Sequence, residues 1–301
     1  MNAVVLDLPG NGDAARDLAE RLGSPLGTVQ LRPFPDGESA VRIDADVAGR
    51  DVALVCTLDR PNGKVVPLAL AAGAARQQGA RSVGLVAPYL AYMPQDRAFR
   101  AGEGTSARHF ARLLSAAVDW LVTVDPHLHR IRALDEILPI PVAVAHAAGP
   151  IAAWLRVEVP DAVVIGPDVE SEQWVAEVAR RAGVPAVVLA KRRLGDGQVE
   201  MQLPEMGAFR DRTPVLVDDI VSTAGTMIAA VALLRGAGMR APTCVGIHAI
   251  LAGGACRALA AAGAQRIVTC RTIAHPSNAI DVGAPIAGAV AELLARPSDP
   301  S

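Results

Sequence analysis

Residues 213–228 combine two carboxylates with a small, hydroxyl-rich turn in a pattern that could bind a phosphorylated sugar. The apolar run 215–217 predicts a short buried strand of a parallel sheet. Asp218 and Asp219 follow this strand directly. The turn comes next and consists of Ser222, Thr223, Ala224, Gly225 and Thr226.

An apolar helix is predicted over 227–234, immediately after this turn. Unpaired amides of its first turn would converge on one point, where the helix dipole also favours negative charge. Hydroxyl groups of the turn add donors, and Gly225 allows the backbone to approach an anion closely. Because the two aspartates would repel an anion, we expect them to serve the hydroxyl groups of an attached sugar, directly or through a metal. The alternative is an ordinary strand-to-helix junction with capping hydroxyls and solvated aspartates.

An internal repeat shows how the elements around this turn are arranged. Displacing 51–91 by 162 positions lays its apolar strands and the helix between them on those of 213–253. In both halves strands alternate with helices, which is typical of α/β domains. Residues 57–64 of the first half stand where the second half has the acidic pair and the turn. We therefore expect only the second half to retain a phosphosugar loop.

Length and composition support this division and exclude several classes of protein. A chain of 301 residues suits two domains, predicted at 1–148 and 149–295, with 296–301 as a frayed tail. The 29 basic and 31 acidic residues are nearly balanced, so we expect neither a nucleic-acid partner nor a membrane-binding face. No apolar run reaches the length that spans a membrane. The four cysteines lie far apart and are expected to be reduced thiols in a cytoplasmic protein.

The pattern in 213–228 resembles the phosphoribosyl-pyrophosphate (PRPP) motif of type I phosphoribosyltransferases and ribose-phosphate pyrophosphokinases. Duplicated halves with a single surviving loop are similar to the second family, and this resemblance covers nearly the whole chain. It implies an α/β protein of two tandem type I phosphoribosyltransferase-like domains, each a mainly parallel sheet flanked by helices. It also implies that Asp218, Asp219 and the turn 222–226 bind ribose 5-phosphate.

Two stretches of the first domain resemble ATP-binding segments of this family. In the first, the resemblance assigns Phe34, Asp36 and Glu38 to a loop that reaches across a subunit contact to hold adenine. An aromatic ring suits stacking, and carboxylates can accept hydrogen bonds from an amino group or from ribose hydroxyls. Because Pro-Asp-Gly is common in type I turns, an ordinary turn is the alternative.

The second ATP-binding stretch precedes Arg97, and in it Gln95 and Asp96 match the family pattern. Pro94 stands where that pattern has an arginine, and a proline cannot neutralise phosphate oxygens. Either Arg97 or Arg100 compensates for this change, or the affinity for ATP is reduced. An ordinary exposed loop is the alternative for this stretch.

Two residues that follow predicted strands match metal ligands of the family. His127 follows the strand 120–125, and Asp168 follows the buried strand 163–166. The resemblance implies that His127 binds Mg²⁺ near the ATP phosphates and that Asp168 contributes to a second metal site. Nitrogen is an unusual donor for this hard cation, so a structural or exposed histidine is the alternative.

The predicted strand 187–193 ends in three consecutive cations, Lys191, Arg192 and Arg193. The family's catalytic loop carries the same three residues at this place. The resemblance implies that Lys191 is the catalytic lysine and that Arg193 contacts the ribose phosphate and the transition state. Glycines that follow would allow the loop to close and exclude water. A solvated basic turn is the alternative.

These assignments together imply a ribose-phosphate diphosphokinase, which transfers the pyrophosphoryl group of ATP to the C1 hydroxyl of ribose 5-phosphate and yields PRPP and AMP for nucleotide biosynthesis. The resemblance also implies Mg²⁺ as the cofactor and assembly into a homo-oligomer. Two other functions stay open. Pro94 suggests a weak or inactive regulatory member of the family, and the PRPP motif alone would suit a phosphoribosyltransferase.

Overall fold

The computed structural model describes residues 2–98, 100–128, 130–168, 171–193 and 199–296. The chain divides into two compact units. The N-terminal unit comprises Met1–Ala145 together with Gly283–Ser301, and the C-terminal unit comprises His146–Val282. Both units are α/β, with mainly parallel sheets flanked by helices, which confirms the predicted fold class.

The N-terminal unit is built around one mostly parallel sheet. Its elements are β1 Ala3–Asp7, α1 Gly12–Leu22, β2 Leu26–Pro33, β3 Ser39–Asp44, β4 Asp51–Val55, α2 Val65–Gln77, β5 Ser82–Ala87, α3 Ser106–Ala117, β6 Trp120–Val124, β7 Val142–Ala145 and α8 Gly283–Ala295. The strand order is β3-β2-β1-β4-β5-β6-β7, and only β3 runs antiparallel to its neighbour. Every residue of β4 and β6 is buried, as expected for strands covered by helices on both faces.

The C-terminal unit has a second parallel sheet and a separate hairpin. Its elements are α4 Ala148–Glu158, β8 Ala162–Gly166, α5 Glu172–Ala182, β9 Ala186–Val188, β10 Ala190–Arg193, β11 Val199–Gln202, β12 Thr213–Ile220, α6 Gly225–Gly236, β13 Thr243–His248, α7 Ala255–Ala261, β14 Arg266–Cys270 and β15 Asn278–Ile280. The strand order is β15-β14-β13-β12-β8-β9. The antiparallel strands β10 and β11 form the hairpin.

The two sheets share one topology, as the internal repeat predicted. The order β2-β1-β4-β5-β6-β7 in the first sheet corresponds to β9-β8-β12-β13-β14-β15 in the second. A single displacement of 162 positions does not hold throughout, however. Asp51 pairs with Ser82, whereas Val215 pairs with Thr243, so the connection between the paired strands is shorter in the second unit.

The C-terminal helix α8 belongs to the N-terminal unit, and the prediction of 149–295 as one domain is therefore corrected at this helix. One apolar face of this helix is buried, and the helix packs on α1, β6 and β7. Gly283 begins the helix where a β-carbon would lie only 1.9 Å from Oδ2 of Asp17, so a side chain at 283 would require the Asp17 carboxylate to move. Packing against distant residues thus returns the end of the chain to the first unit.

One further element differs from the sequence prediction. The three cations 191–193 lie in the first strand of the hairpin and not at the end of a sheet strand, because the chain leaves the sheet after Val188. Within the described ranges, no helix is both long and apolar enough to cross a bilayer.

Candidate active site

The acidic pair lies at the carboxyl end of β12, in the middle of the second sheet. The strand continues through both aspartates to Ile220, beyond the predicted end at Val217. Oδ1 of Asp218 accepts a hydrogen bond from the amide of Asp219 at 3.0 Å, and Oδ1 of Asp219 accepts one from the amide of Ile220 at 2.7 Å. Both residues are half-buried. The backbone thus orients both carboxylates at the edge where parallel α/β sheets bind ligands.

The turn after this strand presents its hydroxyl-bearing residues to solvent. Ser222 and Thr223 are exposed, Thr226 is half-buried, and α6 begins at Gly225. Because no hydrogen bond from a side chain caps α6 at Ala224, the amides of its first turn are available in the way an anion site requires. The structure thus positions the turn 222–226, the predicted anion cradle, directly after the acidic pair.

The residue that adopts an unusual backbone conformation in this turn is Ala224 and not Gly225. Ala224 has φ of 61°, in the left-handed region that costs an L-residue about 1–2 kcal/mol. A β-carbon at Gly225 would meet only Thr223 Oγ1, at 3.9 Å. The chain itself therefore does not require glycine at 225, and only the approach of a ligand would.

Backbone strain is concentrated at the carboxyl ends of the parallel strands in both units. In the described part of the chain, the non-glycine residues with positive φ all lie in loops that follow β4, β5, β6, β12 or β13. They are Arg60, Tyr92, Asp125, Ala224 and Leu251. Strained residues of this kind persist where the surroundings hold them, and they cluster at ligand-binding sites. This distribution points to the carboxyl edges of both sheets as the functional surfaces.

The segment 34–38 is the tip of the hairpin formed by β2 and β3. The amide of Phe34 donates to the carbonyl of Glu38 at 2.7 Å, and the carboxylate of Asp36 accepts from the amide of Glu38 at 3.0 Å. Gly37 has φ of 92°, which explains the glycine at this position. Phe34, Asp36 and Glu38 are all exposed, and the Arg32 guanidinium lies 4.7 Å from the centre of the Phe34 ring. The tip therefore presents an aromatic ring and two carboxylates to solvent.

The two predicted ATP contacts after β5 occupy different environments. Gln95 is exposed, and its carbonyl accepts a hydrogen bond from the amide of Ala107 at 3.1 Å, where α3 begins. The Asp96 side chain is 1% exposed and accepts hydrogen bonds from Arg130, at 2.8 Å from the backbone amide and 3.2 Å from Nη1. This burial argues against the predicted direct contact between Asp96 and ATP. Pro94 is half-buried between Met93 and Gln95.

Sequence reasoning did not identify Arg130 as part of this region. It follows His127 by only a few residues, and its contact with Asp96 joins the loops after β5 and β6. No local pattern in the sequence indicates such a contact, because the two loops are distant along the chain.

The two predicted metal ligands belong to different units. His127 is half-buried in the loop after β6, and Asp168 is half-buried in the turn after β8. The carbonyl of Asp168 accepts hydrogen bonds from the amide and the hydroxyl of Ser171, at 3.2 and 2.6 Å. Among the residues that the structure describes, no group of three or more His, Cys, Asp or Glu side chains could hold an ion. Asp168 offers a carboxylate oxygen, the type of ligand that Mg²⁺ prefers, whereas the imidazole nitrogen of His127 is a less usual donor for this cation.

Lys191 and Arg193 are alternate residues of β10, opposite Met201 and Val199 of β11. Strand β11 lies against α6, the helix whose N-terminus carries the turn 222–226. The hairpin that contains the predicted catalytic residues is therefore a neighbour of the helix that follows the turn 222–226. The glycines predicted to let this loop close lie in 194–198, outside the described residues.

The corresponding loop of the N-terminal unit is occupied by the protein's own groups. Lys64 forms an ion pair with Asp59 and donates to the carbonyl of Thr57 at 2.9 Å. The amide of Thr57 donates to Oδ1 of the buried Asn11 at 2.8 Å. In this loop a lysine and a side-chain amide thus contact groups of the protein itself, at the place where the second unit has the acidic pair and the turn.

Comparison with known proteins defines the class. A family model for the "N-terminal domain of ribose phosphate pyrophosphokinase" matches residues 3–117, and one for the "Phosphoribosyl transferase domain" matches 133–286. A crystal structure of phosphoribosylpyrophosphate synthetase from Mycobacterium smegmatis has a TM-score of 0.83 with 24% identity, and covers 98% of this chain and 99% of that chain. The fold is thus that of two tandem phosphoribosyltransferase-like units.

Curated relatives identify the family. Ribose-phosphate pyrophosphokinase of Methanopyrus kandleri is 38% identical over 283 residues, covering 92% of this chain and 95% of the relative. The enzyme of the same name from Saccharolobus solfataricus is 31% identical over 261 residues, covering 85% and 88%. The chain belongs to the ribose-phosphate pyrophosphokinase family.

Proposed function

We propose that this protein is a ribose-phosphate diphosphokinase that forms PRPP and AMP from ATP and ribose 5-phosphate. One observation carries the proposal: the acidic pair at the end of β12 is followed directly by a small turn, and α6 begins within this turn. The chain in which this occurs belongs to the ribose-phosphate pyrophosphokinase family. The turn offers amides and hydroxyls for a phosphate, and the carboxylates offer acceptors for sugar hydroxyls.

In the proposed reaction, the oxygen of the C1 hydroxyl of ribose 5-phosphate attacks the β-phosphorus of ATP. The bond between this phosphorus and the oxygen that bridges to the α-phosphorus breaks, and the hydroxyl proton is lost. The β,γ-pyrophosphoryl group is then on the sugar, and AMP leaves with the bridging oxygen. Catalysis of such a transfer depends mainly on positioning and on stabilising the charge that develops on the oxygens.

Ribose 5-phosphate binds with its phosphate in the turn 222–226 and its ring hydroxyls toward Asp218 and Asp219. The backbone hydrogen bonds that orient both carboxylates support this role, because they reduce the reorganisation needed when the sugar arrives. Lys191 and Arg193 supply positive charge to the transferred group from the hairpin beside α6. The exclusion of water would protect the product from hydrolysis.

Mg²⁺ is the proposed cofactor, with His127 assigned to an ion near the ATP phosphates and Asp168 to a second metal site. This cation is often bound by one or two carboxylates and completes its coordination with water and substrate phosphates. When bound, the ion would neutralise phosphate charge. The protein's own part is to hold a carboxylate and an imidazole at the ends of β8 and β6.

The adenine of ATP is proposed to bind Phe34, Asp36 and Glu38, with Gln95 as a further contact. Because the hairpin tip is exposed, a second surface must cover the nucleotide, which supports a homo-oligomer in which a neighbouring copy completes the site. Helix α2 offers an apolar face for such a contact, with Val66 63% and Leu70 43% exposed. A cytoplasmic location is proposed because all four cysteines are free thiols.

The test is a chromatographic assay of purified protein with Mg²⁺, ATP and ribose 5-phosphate. The proposal expects equimolar AMP and PRPP, both dependent on ribose 5-phosphate. Formation of neither product, with ribose 5-phosphate still bound, would favour a regulatory protein. Release of pyrophosphate from PRPP in the presence of a nucleobase would favour a phosphoribosyltransferase.

A further inference from the structure

We propose that Gly246, His248 and Thr272 are positioning residues that hold Val221 in place and so shape the ribose 5-phosphate loop. None of them belongs to the loop itself. This inference rests on the proposed function, because it concerns the affinity of the same loop for its sugar phosphate.

Val221 is the first residue after β12, and its side chain fills a space left by a glycine. It is 2% exposed, and a β-carbon at Gly246 would lie 2.6 Å from Val221 Cγ2. A contact so short is incompatible with any side chain at 246 unless Val221 moves. Gly246 lies in β13 opposite Asp218, so the space is directly beside the acidic pair. Val221 therefore fixes the start of the loop against the neighbouring strand.

Backbone hydrogen bonds hold the same residue from both sides. The amide of Val221 donates to the carbonyl of His248 at 3.3 Å, and its carbonyl accepts from the amide of Leu251 at 2.7 Å. The carbonyl of Ser222 then accepts from the amide of Ala252 at 3.1 Å. The segment 248–252, which we name the brace, thus holds the loop in place as far as Ser222. Leu251 has a positive φ of 23°, so the brace is held in a conformation that the chain does not adopt without tertiary support.

Buried side chains hold the brace in turn. The hydroxyl of Thr272 donates to the carbonyl of Ile247 at 2.8 Å and lies 3.0 Å from Nδ1 of His248. With the hydroxyl proton donated to Ile247, the tautomer of His248 that is protonated at Nδ1 can donate to the same oxygen. His248 and Thr272 are 1% and 2% exposed, so neither side chain can contact a substrate. Their effect on binding must pass through the position of the brace and of Val221.

A loop held in its binding conformation before the ligand arrives binds more tightly than one that must be ordered on binding. If the brace is loosened, the cost of ordering 222–226 is added to each binding event. Ribose 5-phosphate should then bind more weakly, whereas ATP, which is proposed to bind residues of the N-terminal unit, should be affected little.

The experiment compares Thr272→Val with Thr272→Ser. Valine has the shape of threonine but lacks the hydroxyl that contacts His248 and donates to the carbonyl of Ile247, whereas serine keeps this hydroxyl. Thr123→Val is the matched control, because Thr123 is 1% exposed in the other unit and its hydroxyl has no hydrogen-bond partner among the described residues. The dissociation constant of ribose 5-phosphate is measured by calorimetry, together with the KM of each substrate and the melting temperature.

We expect Thr272→Val to raise the dissociation constant and the KM of ribose 5-phosphate about fivefold, with the KM of ATP within about twofold of the parent protein. Thr272→Ser should restore the parent values, and Thr123→Val should leave them unchanged. A lower melting temperature with unchanged binding of ribose 5-phosphate would show a purely structural role and overturn the inference.

A second variant keeps the inference testable if Thr272→Val does not fold. Val221→Ala removes two methyl groups from the space beside Gly246 without adding a steric conflict, and it should weaken ribose 5-phosphate binding in the same way. Unchanged affinity in a folded Val221→Ala protein would overturn the inference. The parent protein reports separately on the proposed function: if it forms no AMP and PRPP, the activity is wrong, whereas the binding data still test the positioning residues.

Discussion

Asp96 and Arg130 connect the loops that follow β5 and β6. The buried carboxylate accepts hydrogen bonds from both the backbone amide and the guanidinium of Arg130, at 2.8 and 3.2 Å. The backbone bond fixes the loop that carries His127, because it holds the main chain and not only a mobile side chain. Asp96 therefore organises the region where ATP is proposed to bind without having to touch the nucleotide.

Asp96→Asn should destabilise the protein, because one oxygen that accepts from Arg130 becomes an amide nitrogen in a buried position. We expect the free energy of unfolding in urea to fall by about 1–3 kcal/mol. Asp36→Asn is the control, since Asp36 is an exposed carboxylate that also accepts a backbone hydrogen bond, and the change should alter stability by less than about 0.5 kcal/mol. A stable Asp96→Asn protein with a greatly raised KM for ATP would instead indicate direct contact with the nucleotide.

Lys191→Ala should lower kcat by two or more orders of magnitude, roughly the effect of removing one charge-stabilising donor from a transition state. Binding of ribose 5-phosphate, measured by calorimetry, should stay close to that of the parent protein. Arg192→Ala changes the adjacent cation of the same strand and serves as the control, with a much smaller effect on kcat. Undiminished turnover by Lys191→Ala would remove this residue from the mechanism.

Pro94→Arg restores the residue type that the family pattern has at this position. If the proline weakens ATP binding through a missing positive charge, the variant should have a KM for ATP that is lower by about tenfold, the effect of one charge-assisted hydrogen bond. The KM of ribose 5-phosphate should not change. Arg97→Ala tests compensation by a neighbour: if Arg97 has taken over the role, this variant raises the KM for ATP and Pro94→Arg lowers it little.

Two buried threonines lie at equivalent places in the two sheets, and replacing each by valine should have different effects on the stability of the protein. The hydroxyl of Thr269 in β14 lies 2.8 Å from that of Ser277 and accepts a hydrogen bond from the side-chain Nδ2 of Asn278 at 2.9 Å. Thr123 in β6 has a buried hydroxyl without a hydrogen-bond partner among the described residues. Thr269→Val should cost about 1–3 kcal/mol, and Thr123→Val should be neutral or stabilising. Chemical denaturation measures both, and equal losses would contradict the assigned partners.

Two aspartates should give opposite dependences of stability on pH. Burial raises the pKa of Asp51, but hydrogen bonds from Arg81 and Ser82 outweigh it and hold that pKa below its ordinary value. Burial raises the pKa of Asp7, and a hydrogen bond from the Asn11 backbone offsets this only in part. The ionised form of Asp51 is therefore favoured by folding, whereas the ionised form of Asp7 is disfavoured.

The stability contributed by Asp51 is present above its unfolded pKa and is lost as the pH falls through its lower folded pKa. Asp51→Asn should thus destabilise the protein at about pH 7 and have less effect at about pH 3. Asp7→Asn should stabilise it at about pH 7, with the gain disappearing as the pH falls through the raised folded pKa. Unfolding curves across this range test both signs, and a stabilising Asp51→Asn would contradict the geometry at β4.

The sequence alone determined the features that depend on neighbouring residues. An apolar run, two aspartates, a small turn and an apolar helix specify the strand, loop and helix over 213–236, because each of these elements is formed by residues close together along the chain. The same patterns in 51–77 revealed the duplication and the α/β class. The exposed turn at 34–38 was also evident, since Pro-Asp-Gly requires no distant partner.

Only the tertiary structure decided the features that depend on distant partners. Asp96 is buried because Arg130, 34 positions away, meets it, and Val221 is fixed by the space at Gly246. Helix α8 joins the first unit because its apolar face and Gly283 fit α1. Hydrophobic burial and hydrogen bonding act between whatever residues the fold brings together, and a local pattern does not state which residues those are.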